Sequence, residues 1–183
     1  MSRLLMVPGL RGSEPEHWQS WWERLDPSIR RVHQTDWHHG ELSRWSSAVI
    51  AAIDQSTEPV WLVAHSFGCL ASVEAARQRP ERVAGLFLVA PADPARFAIA
   101  DEILDFSLPM PSMVIGSTTD PYLNISRAWD WSKRWGSQFV NLGPVGHINV
   151  ASGHGPWPRG KWLFDHFRSQ FETVTPFAWR LSA

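Results

Sequence analysis

The sequence predicts an α/β fold in which a mostly parallel β-sheet is covered by helices on both faces. Short apolar segments alternate with segments of helical periodicity along the whole chain. Parallel neighbouring strands need helical crossovers, so this alternation indicates a parallel sheet. The chain has 183 residues, of which 44% are hydrophobic, and no linker or repeat divides it. We therefore expect a single α/β domain over residues 1–183.

The predicted elements follow one another in a regular order. Strands are expected at residues 4–7, 29–33, 60–64, 83–90, 113–117 and 139–142, the second of them at a sheet edge because of its charges. Four residues at helical spacing are expected to form the buried stripe of the first helix: Trp18, Trp21, Trp22 and Leu25. A second helix is marked by Leu42, Trp45, Val49 and Ile53, and a third by Leu70, Val73 and Ala76. One short helix is expected within residues 92–108, and a longer one over 124–135 with Ile125, Ala128, Trp129 and Trp135 near one face. Trp162, Leu163, His166, Phe167 and Phe171 mark the last helix.

Charge and hydropathy exclude several classes of function. Seventeen basic and eighteen acidic residues give a net charge of -1 without a run of like charge, so neither nucleic acid nor an anionic membrane is an expected partner. The apolar runs are too short to span a bilayer, and a Pro-Gly turn interrupts the N-terminus before a signal-peptide core. We expect a cytoplasmic protein. The single cysteine, Cys69, forms no internal disulfide and is predicted to be a packing residue.

Residues 60–76 contain the most informative motif of the chain. The apolar run 60–64 has the character of a buried strand, and helical periodicity resumes only a few residues later. Ser66 lies at the apex of this sharp turn, within Ala-His-Ser-Phe-Gly. That sequence is a variant of the G-x-S-x-G nucleophile elbow, with Ala64 in place of the first glycine. A serine that only caps the following helix is the alternative interpretation.

Three residues distant in sequence are expected at one edge of the sheet. Ser66, Asp120 and His147 each follow a predicted strand, and reactive groups gather at the carboxyl ends of parallel strands. A serine hydroxyl is a weak nucleophile until an imidazole removes its proton, and a carboxylate holds that imidazole in the required tautomer. We therefore predict a catalytic triad of Ser66, Asp120 and His147.

Other residues compete for these roles. Asp93 also follows a strand and is the alternative acid, but Asp120 is preferred because it lies nearer a strand end and one connection before the histidine. The other interpretation of Asp93 is that it stabilises the N-terminus of the following helix. His154 is the alternative base. His38 and His39 are adjacent, without the spacing of a metal pair, and are predicted to be exposed loop residues.

The backbone is expected to supply an oxyanion hole. The amide of the residue after the nucleophile, Phe67, is one predicted donor, and the amide of Leu10 in the loop after the first strand is the other. Trp37, His65 and Trp157 are candidate substrate-binding residues. Either tryptophan is equally compatible with a purely packing role. No metal or organic cofactor is expected.

The sequence resembles the small serine hydrolase family typified by retinoblastoma-binding protein 9 and the bacterial YdeN-type proteins, within the α/β-hydrolase superfamily. The motifs that carry the resemblance are V-P-G at residues 7–9, S-x-x-x-H-W at 13–18, D-W at 36–37, A-H-S-F-G-C at 64–69, L-V-A-P-A-D at 88–93, S-T-T-D-P at 117–121 and G-H-I-N-V-A-S-G-H-G-P-W-P at 146–158. The resemblance implies a compact α/β-hydrolase fold with about six strands, and it assigns the triad to Ser66, Asp120 and His147.

The predicted function is hydrolysis of a carboxylic ester, thioester or amide of a small molecule through an acyl-serine intermediate. The connection between residues 89 and 113 is too short for a cap domain, which argues against bulky interfacial lipid as the substrate. The alternative is a protein-interaction module with a relic triad. In that case Phe177, Trp179 and Leu181 of the C-terminal segment 173–183 are the candidates for contact with a protein partner.

Overall fold

A parallel sheet forms the centre of the structure, a computed structural model that describes residues 3–172. Among these residues the strands are β1 (Arg3–Val7), β2 (Arg30–Arg31), β3 (Val60–His65), β4 (Val83–Val89), β5 (Ser112–Gly116) and β6 (Gln138–Asn141). Their order in the sheet is β2-β1-β3-β4-β5-β6, and every neighbouring pair is parallel. The predicted α/β fold class is confirmed, and the charged strand β2 lies at an edge as expected.

Helices connect successive strands. They are α1 (Trp18–Leu25), α2 (Leu42–Asp54), α3 (Phe67–Gln78), α4 (Asp101–Leu104), α5 (Ile125–Trp135) and α6 (Pro158–Ser169). Short 3-10 helices occur at Pro80–Arg82, Pro94–Phe97 and Val150–Ser152. The connection from β4 to β5 therefore contains two short helices, where the sequence predicted one. The longer predicted helices are all present.

The sheet has a hydrophobic core on each face, because alternate strand residues point to opposite sides. Leu62 and Ala64 of β3 belong to the core under α2, α3 and α5, whereas Trp61 and Val63 belong to the core under α1 and α6. Gly85 of β4 makes room for Trp61, whose ring occupies the space that a side chain at Gly85 would need. Both faces of β3 are buried, so its sequence is apolar throughout.

Several residues that mark the predicted helices lie at the surface, and two of them, Trp21 and Leu25, were expected in the buried stripe of α1. Trp21, Trp129 and Trp162 are 37%, 48% and 62% exposed. In α1 and α5 the cores take Trp22 and Trp131 instead. Cations or a ring cover the exposed indoles: the guanidinium of Arg24 lies over Trp21, the ammonium of Lys133 over Trp129, and the ring of His166 stacks on Trp162. Leu25 is 67% exposed, and Phe171, which follows the end of α6, is 47% exposed.

The C-terminal residues 173–183, predicted to contact a protein partner in the alternative function, lie outside the described part of the chain. Within residues 3–172, none of the helices has the length and apolar character needed to cross a membrane.

Candidate active site

Ser66 is the only residue between β3 and α3. Its backbone has φ 54° and ψ −123°, a conformation that costs energy for any residue with a side chain. Three backbone hydrogen bonds hold it there: its N–H donates to Val89 (3.1 Å), and its carbonyl accepts from Cys69 (3.0 Å) and Ala92 (3.2 Å). The strained turn predicted from the sequence is present.

Two glycines let the chain close around this turn. A β-carbon at Gly68 would overlap the carbonyl oxygens of Val7 and Pro8, so the first turn of α3 packs directly against the end of β1. A β-carbon at Gly9 would lie 2.8 Å from Cβ of Ser66. The loop after β1 therefore approaches the serine at backbone distance, and only glycine permits this approach.

Asp120 and His147 form a buried pair. The Nδ1 atom of His147 lies 3.0 Å and 2.9 Å from the two carboxylate oxygens of Asp120, and the two side chains are 8% and 3% exposed. An ionised carboxylate only accepts, so Nδ1 carries the proton and Nε2 of the neutral ring is left with a lone pair. Tyr122 also contributes here, because its N–H donates to Asp120 (2.9 Å) and its ring lies against that of His147 (4.6 Å between centroids).

Two hydroxyl groups tie the loop that carries Asp120 to the loop that carries His147. The Oγ1 atom of Thr119 accepts from the N–H of Gly146 (2.9 Å). The Oγ atom of Ser117 accepts from the N–H of Val145 (3.1 Å). The Ser-Thr-Thr-Asp segment after β5 thus positions the histidine loop as well as the carboxylate.

Helix α1 holds the histidine loop from the other side. The indole N–H of Trp18 donates to the carbonyl of Ile148 (3.0 Å), and that of Trp22 donates to the carbonyl of Pro156 (3.2 Å). Gln19 anchors the helix to the sheet, since its amide donates to the carbonyls of Val7 (3.3 Å) and Val63 (3.2 Å) near the strand ends. These buried polar contacts fix the loop relative to β1 and β3.

Two further histidines lie beside His147. The ring of His65 is 4.8 Å from that of His147 and 4.9 Å from that of His17, between centroids. Nε2 of His65 donates to the carbonyl of His147 (2.9 Å). Burial lowers the pKa of His65 well below its usual range, and burial together with the charge of Arg31 lowers the pKa of His17 to about 3. Both rings are therefore neutral at physiological pH.

A cavity of about 610 Å³ opens over these residues. Ser66, His65, His147 and His17 line it together with Leu10. Its exposed lining residues include Arg11, Glu14, Arg96 and Tyr122. The volume matches that of sites for small ligands.

The two predicted oxyanion-hole amides are available in this structure. Leu10 lines the cavity next to Gly9, and Phe67 begins α3, where the first amides of a helix have no intrahelical acceptor. Within residues 3–172, no backbone or side-chain group accepts a hydrogen bond from either amide. Their role as donors to an oxyanion stays a prediction.

The three candidate substrate-binding residues lie in different environments. His65 lines the cavity, whereas neither Trp37 nor Trp157 is among the described residues that do. Trp157 is 8% exposed and packs on Trp18 and Trp22, while Trp37 packs edge-on against Trp45. Both indoles thus occupy packing environments, the second of the two interpretations open to them.

The alternative triad residues have other partners. Asp93 caps the short helix after it by accepting from Ala95 (3.2 Å), which confirms the capping interpretation, and it forms an ion pair with Arg127 (3.0 Å). His154 contacts Ser152 and the ring of Trp157.

The two adjacent loop histidines and the cysteine have the predicted environments. His38 and His39 are exposed, and Cys69 is buried, with a pKa that burial raises. In the described part of the chain, no group of three or more His, Cys, Asp and Glu residues has the arrangement of a metal site.

Sequence reasoning missed His17, Tyr122 and Arg96 at the cavity. His17 precedes α1, and its only local signal is the His-Trp pair at the helix start. Tyr122 and Arg96 reach the site from loops whose positions depend on tertiary packing. No periodicity in the sequence marks them.

This arrangement defines a class of protein. A parallel sheet with a serine elbow after β3, a carboxylate after β5 and a histidine after β6 is the architecture of α/β-hydrolases.

Comparisons with known proteins identify the family. The family model described as "Serine hydrolase" matches residues 4–166. A crystal structure of a protein described as a YdeN-like hydrolase, from Pectobacterium atrosepticum, is 40% identical over 93% of this chain and 92% of its own, with a TM-score of 0.89. The chain therefore belongs to the serine hydrolase family, and within it to the YdeN type.

More distant solved structures share the fold. The ydeN gene product of B. subtilis is 19% identical over 92% of this chain and 100% of its own, with a TM-score of 0.75. Est1E of Butyrivibrio proteoclasticus, solved with ferulic acid, is 13% identical over 93% of this chain and 88% of its own, with a TM-score of 0.67. A comparison with curated proteins gave no match.

Proposed function

We propose that the protein hydrolyses a small carboxylic ester, thioester or amide through an acyl-serine intermediate. The Oγ atom of Ser66 attacks the carbonyl carbon while Nε2 of His147 takes the hydroxyl proton. The amides of Leu10 and Phe67 bind the oxygen that becomes negative. The intermediate then expels the alcohol, thiol or amine, which receives the proton from His147. Water attacks the acyl-serine in the same way and returns Ser66 to its starting state.

One observation carries the proposal: Asp120 fixes His147 with its proton on Nδ1, and His147 and Ser66 line the same cavity. The unprotonated Nε2 is the atom that a general base needs. When His147 accepts the serine proton, the buried carboxylate of Asp120 stabilises the imidazolium.

The cavity and its surroundings favour a small substrate. Only Pro94–Phe97 and Asp101–Leu104 form helices in the connection between β4 and β5, so this connection contains no cap domain. The volume of about 610 Å³ accommodates a small acyl ester. A bulky lipid at an interface is a poor fit for it.

A fluorophosphonate probe tests the nucleophile. We expect it to label the wild-type protein and Cys69→Ala, but not Ser66→Ala. Cys69 is a matched control, because it lies on the same helix turn and is buried. Turnover of a p-nitrophenyl ester should fall roughly a million-fold in Ser66→Ala. Labelling that persists in Ser66→Ala, or folded wild-type protein that neither reacts nor turns over esters, would refute the proposal.

A further inference from the structure

The side chain of His17 is fixed in one tautomer at the wall of the cavity. Its Nδ1 atom accepts a hydrogen bond from the backbone N–H of Gln19 (3.2 Å), as the N-cap of α1. A backbone N–H only donates, so Nδ1 has no proton. A neutral ring with this bond must carry its proton on Nε2.

The charges around His17 keep the ring neutral. Arg31 and the imidazoles of His147 and His154 all disfavour a positive charge on it, in addition to its burial. The nearest ring, that of His65, is neutral as well and is 4.9 Å away between centroids. The Nε2–H group of His17 is thus a permanent donor at physiological pH.

The described residues offer this donor no acceptor. His17 is 2% exposed, and within residues 3–172 no group accepts a hydrogen bond from its Nε2. The residue lines the same cavity as Ser66 and His147. Nε2 is not among the buried side-chain atoms that lack a partner, so it is accessible from the cavity that the residue lines, where water or a ligand can supply the acceptor. The acceptor therefore has to come from whatever occupies the cavity.

We propose that His17 is a substrate-binding residue whose Nε2–H donates to an oxygen of the substrate other than the scissile carbonyl. The inference rests on the hydrolase activity proposed above and adds a substrate class to it. The class comprises small esters and amides that carry a second acceptor oxygen, such as an ether, a hydroxyl or a further carbonyl, in the acyl or the leaving part. Esters of the same size whose acyl and leaving groups are hydrocarbon are poorer substrates, because they displace water from Nε2–H and supply no acceptor in its place.

Two substitutions separate this role from the capping role of the ring. In His17→Asn, the side-chain oxygen replaces Nδ1 as the acceptor for Gln19, because Asn is a favoured N-cap, but the donor at the Nε2 position is lost. In His17→Gln, the longer amide reaches the Nε2 position with an N–H group, whereas the cap is lost. A binding role requires the donor, and a structural role requires the cap.

The assay compares esters matched in shape. One pair is p-nitrophenyl butanoate and p-nitrophenyl methoxyacetate, which differ by an oxygen in the acyl chain. The other pair is butyl acetate and 2-methoxyethyl acetate, which differ by an oxygen in the leaving group. The measured quantity is the ratio of kcat/KM within each pair, so that differences in overall activity between variants cancel. Circular dichroism and thermal unfolding establish that each variant is folded.

We expect His17→Asn to lower the preference for the oxygen-bearing ester about 10-fold in at least one pair, the effect of one hydrogen bond. His17→Gln should keep the preference within about twofold of wild type. Wild-type preference in that pair should also exceed the ratio for alkaline hydrolysis of the same esters, which is an independent measurement if a variant does not fold.

Three results would overturn the inference. The first is an unchanged kcat/KM ratio in His17→Asn for both pairs of esters. The second is a loss of preference in His17→Gln that equals or exceeds the loss in His17→Asn. The third is a wild-type preference no greater than the ratio for alkaline hydrolysis. Absence of any ester turnover and of probe labelling in the wild type overturns the proposed activity, and this inference with it. Turnover with unchanged ratios overturns the role of His17 alone.

Discussion

Acid should destabilise the fold through the buried histidines beside the active site, and the contribution of His17 can be worked out. Burial and the charge of Arg31 lower its pKa from 6.5 to about 3. Below pH 6.5 the unfolded chain therefore binds a proton that the folded chain does not bind until about pH 3. The free energy of unfolding falls as the pH drops through this window. At pH 5 the loss relative to pH 7.5 is about 2 kcal/mol from this residue.

Urea unfolding of wild type and His17→Asn at pH 7.5 and 5.0 measures this contribution. Asn keeps the acceptor for the N–H of Gln19, so the helix cap survives in the variant. Carboxylates such as Asp26, and the second buried histidine, His65, titrate in both proteins and cancel in the comparison. We expect the variant to lose about 2 kcal/mol less than wild type between the two pH values. An equal loss in the two proteins would show that His17 is not held neutral by the fold, and would refute the reasoning.

Three substitutions test other parts of the site. Asp120→Asn replaces a carboxylate oxygen beside Nδ1 of His147 with an amide N–H group, which favours the wrong tautomer of the ring. We expect kcat to fall about 10⁴-fold with little change in melting temperature, and near wild-type kcat would argue against the triad. Trp18→Phe deletes the hydrogen bond to the carbonyl of Ile148, so the free energy of unfolding in urea should fall by about 1–2 kcal/mol. Ester turnover should show a lower kcat as well, and unchanged values of both would contradict the anchoring role. Gly68→Ala forces a β-carbon against backbone oxygens at the end of β1, so the free energy of unfolding in urea should fall by at least about 2 kcal/mol. A variant as stable as wild type would contradict this close approach.

The elbow shows how far local sequence carries. An apolar run, a serine and a glycine two residues later predicted the turn at Ser66 because each demand is local: a buried strand, a strained apex and a close approach at Gly68. The pair of Asp120 and His147 was also predicted, but from the alternation of strands and helices rather than from a local motif. In a parallel sheet the residues after neighbouring strands share an edge, so the order of the strands brought these two side chains together.

Periodicity was a weaker guide to the tryptophans. Trp22 and Trp21 are neighbours in the sequence, but Trp22 is buried in the core under α1 and α6, whereas Trp21 is 37% exposed under Arg24. Trp157 has a φ of 44°, and its ring packs in the core rather than in the cavity, so the structure favours the packing role over the substrate-binding role that was equally open to it. Such orientations depend on contacts with residues more than 100 positions away, which no local pattern records.

The sequence by itself determined the α/β class, the succession of strands and helices along the chain, and which side chains follow the strands. It could do so because hydrophobic alternation and turn-forming residues are properties of neighbouring residues. Only the tertiary structure decided what surrounds those ends. The placement of His17 against the cavity, with its tautomer fixed by the cap of α1, arises from the packing of α1 on β1 and β3 through Gln19. Burial then keeps that ring neutral, and burial is a property of the folded molecule rather than of any segment of the chain.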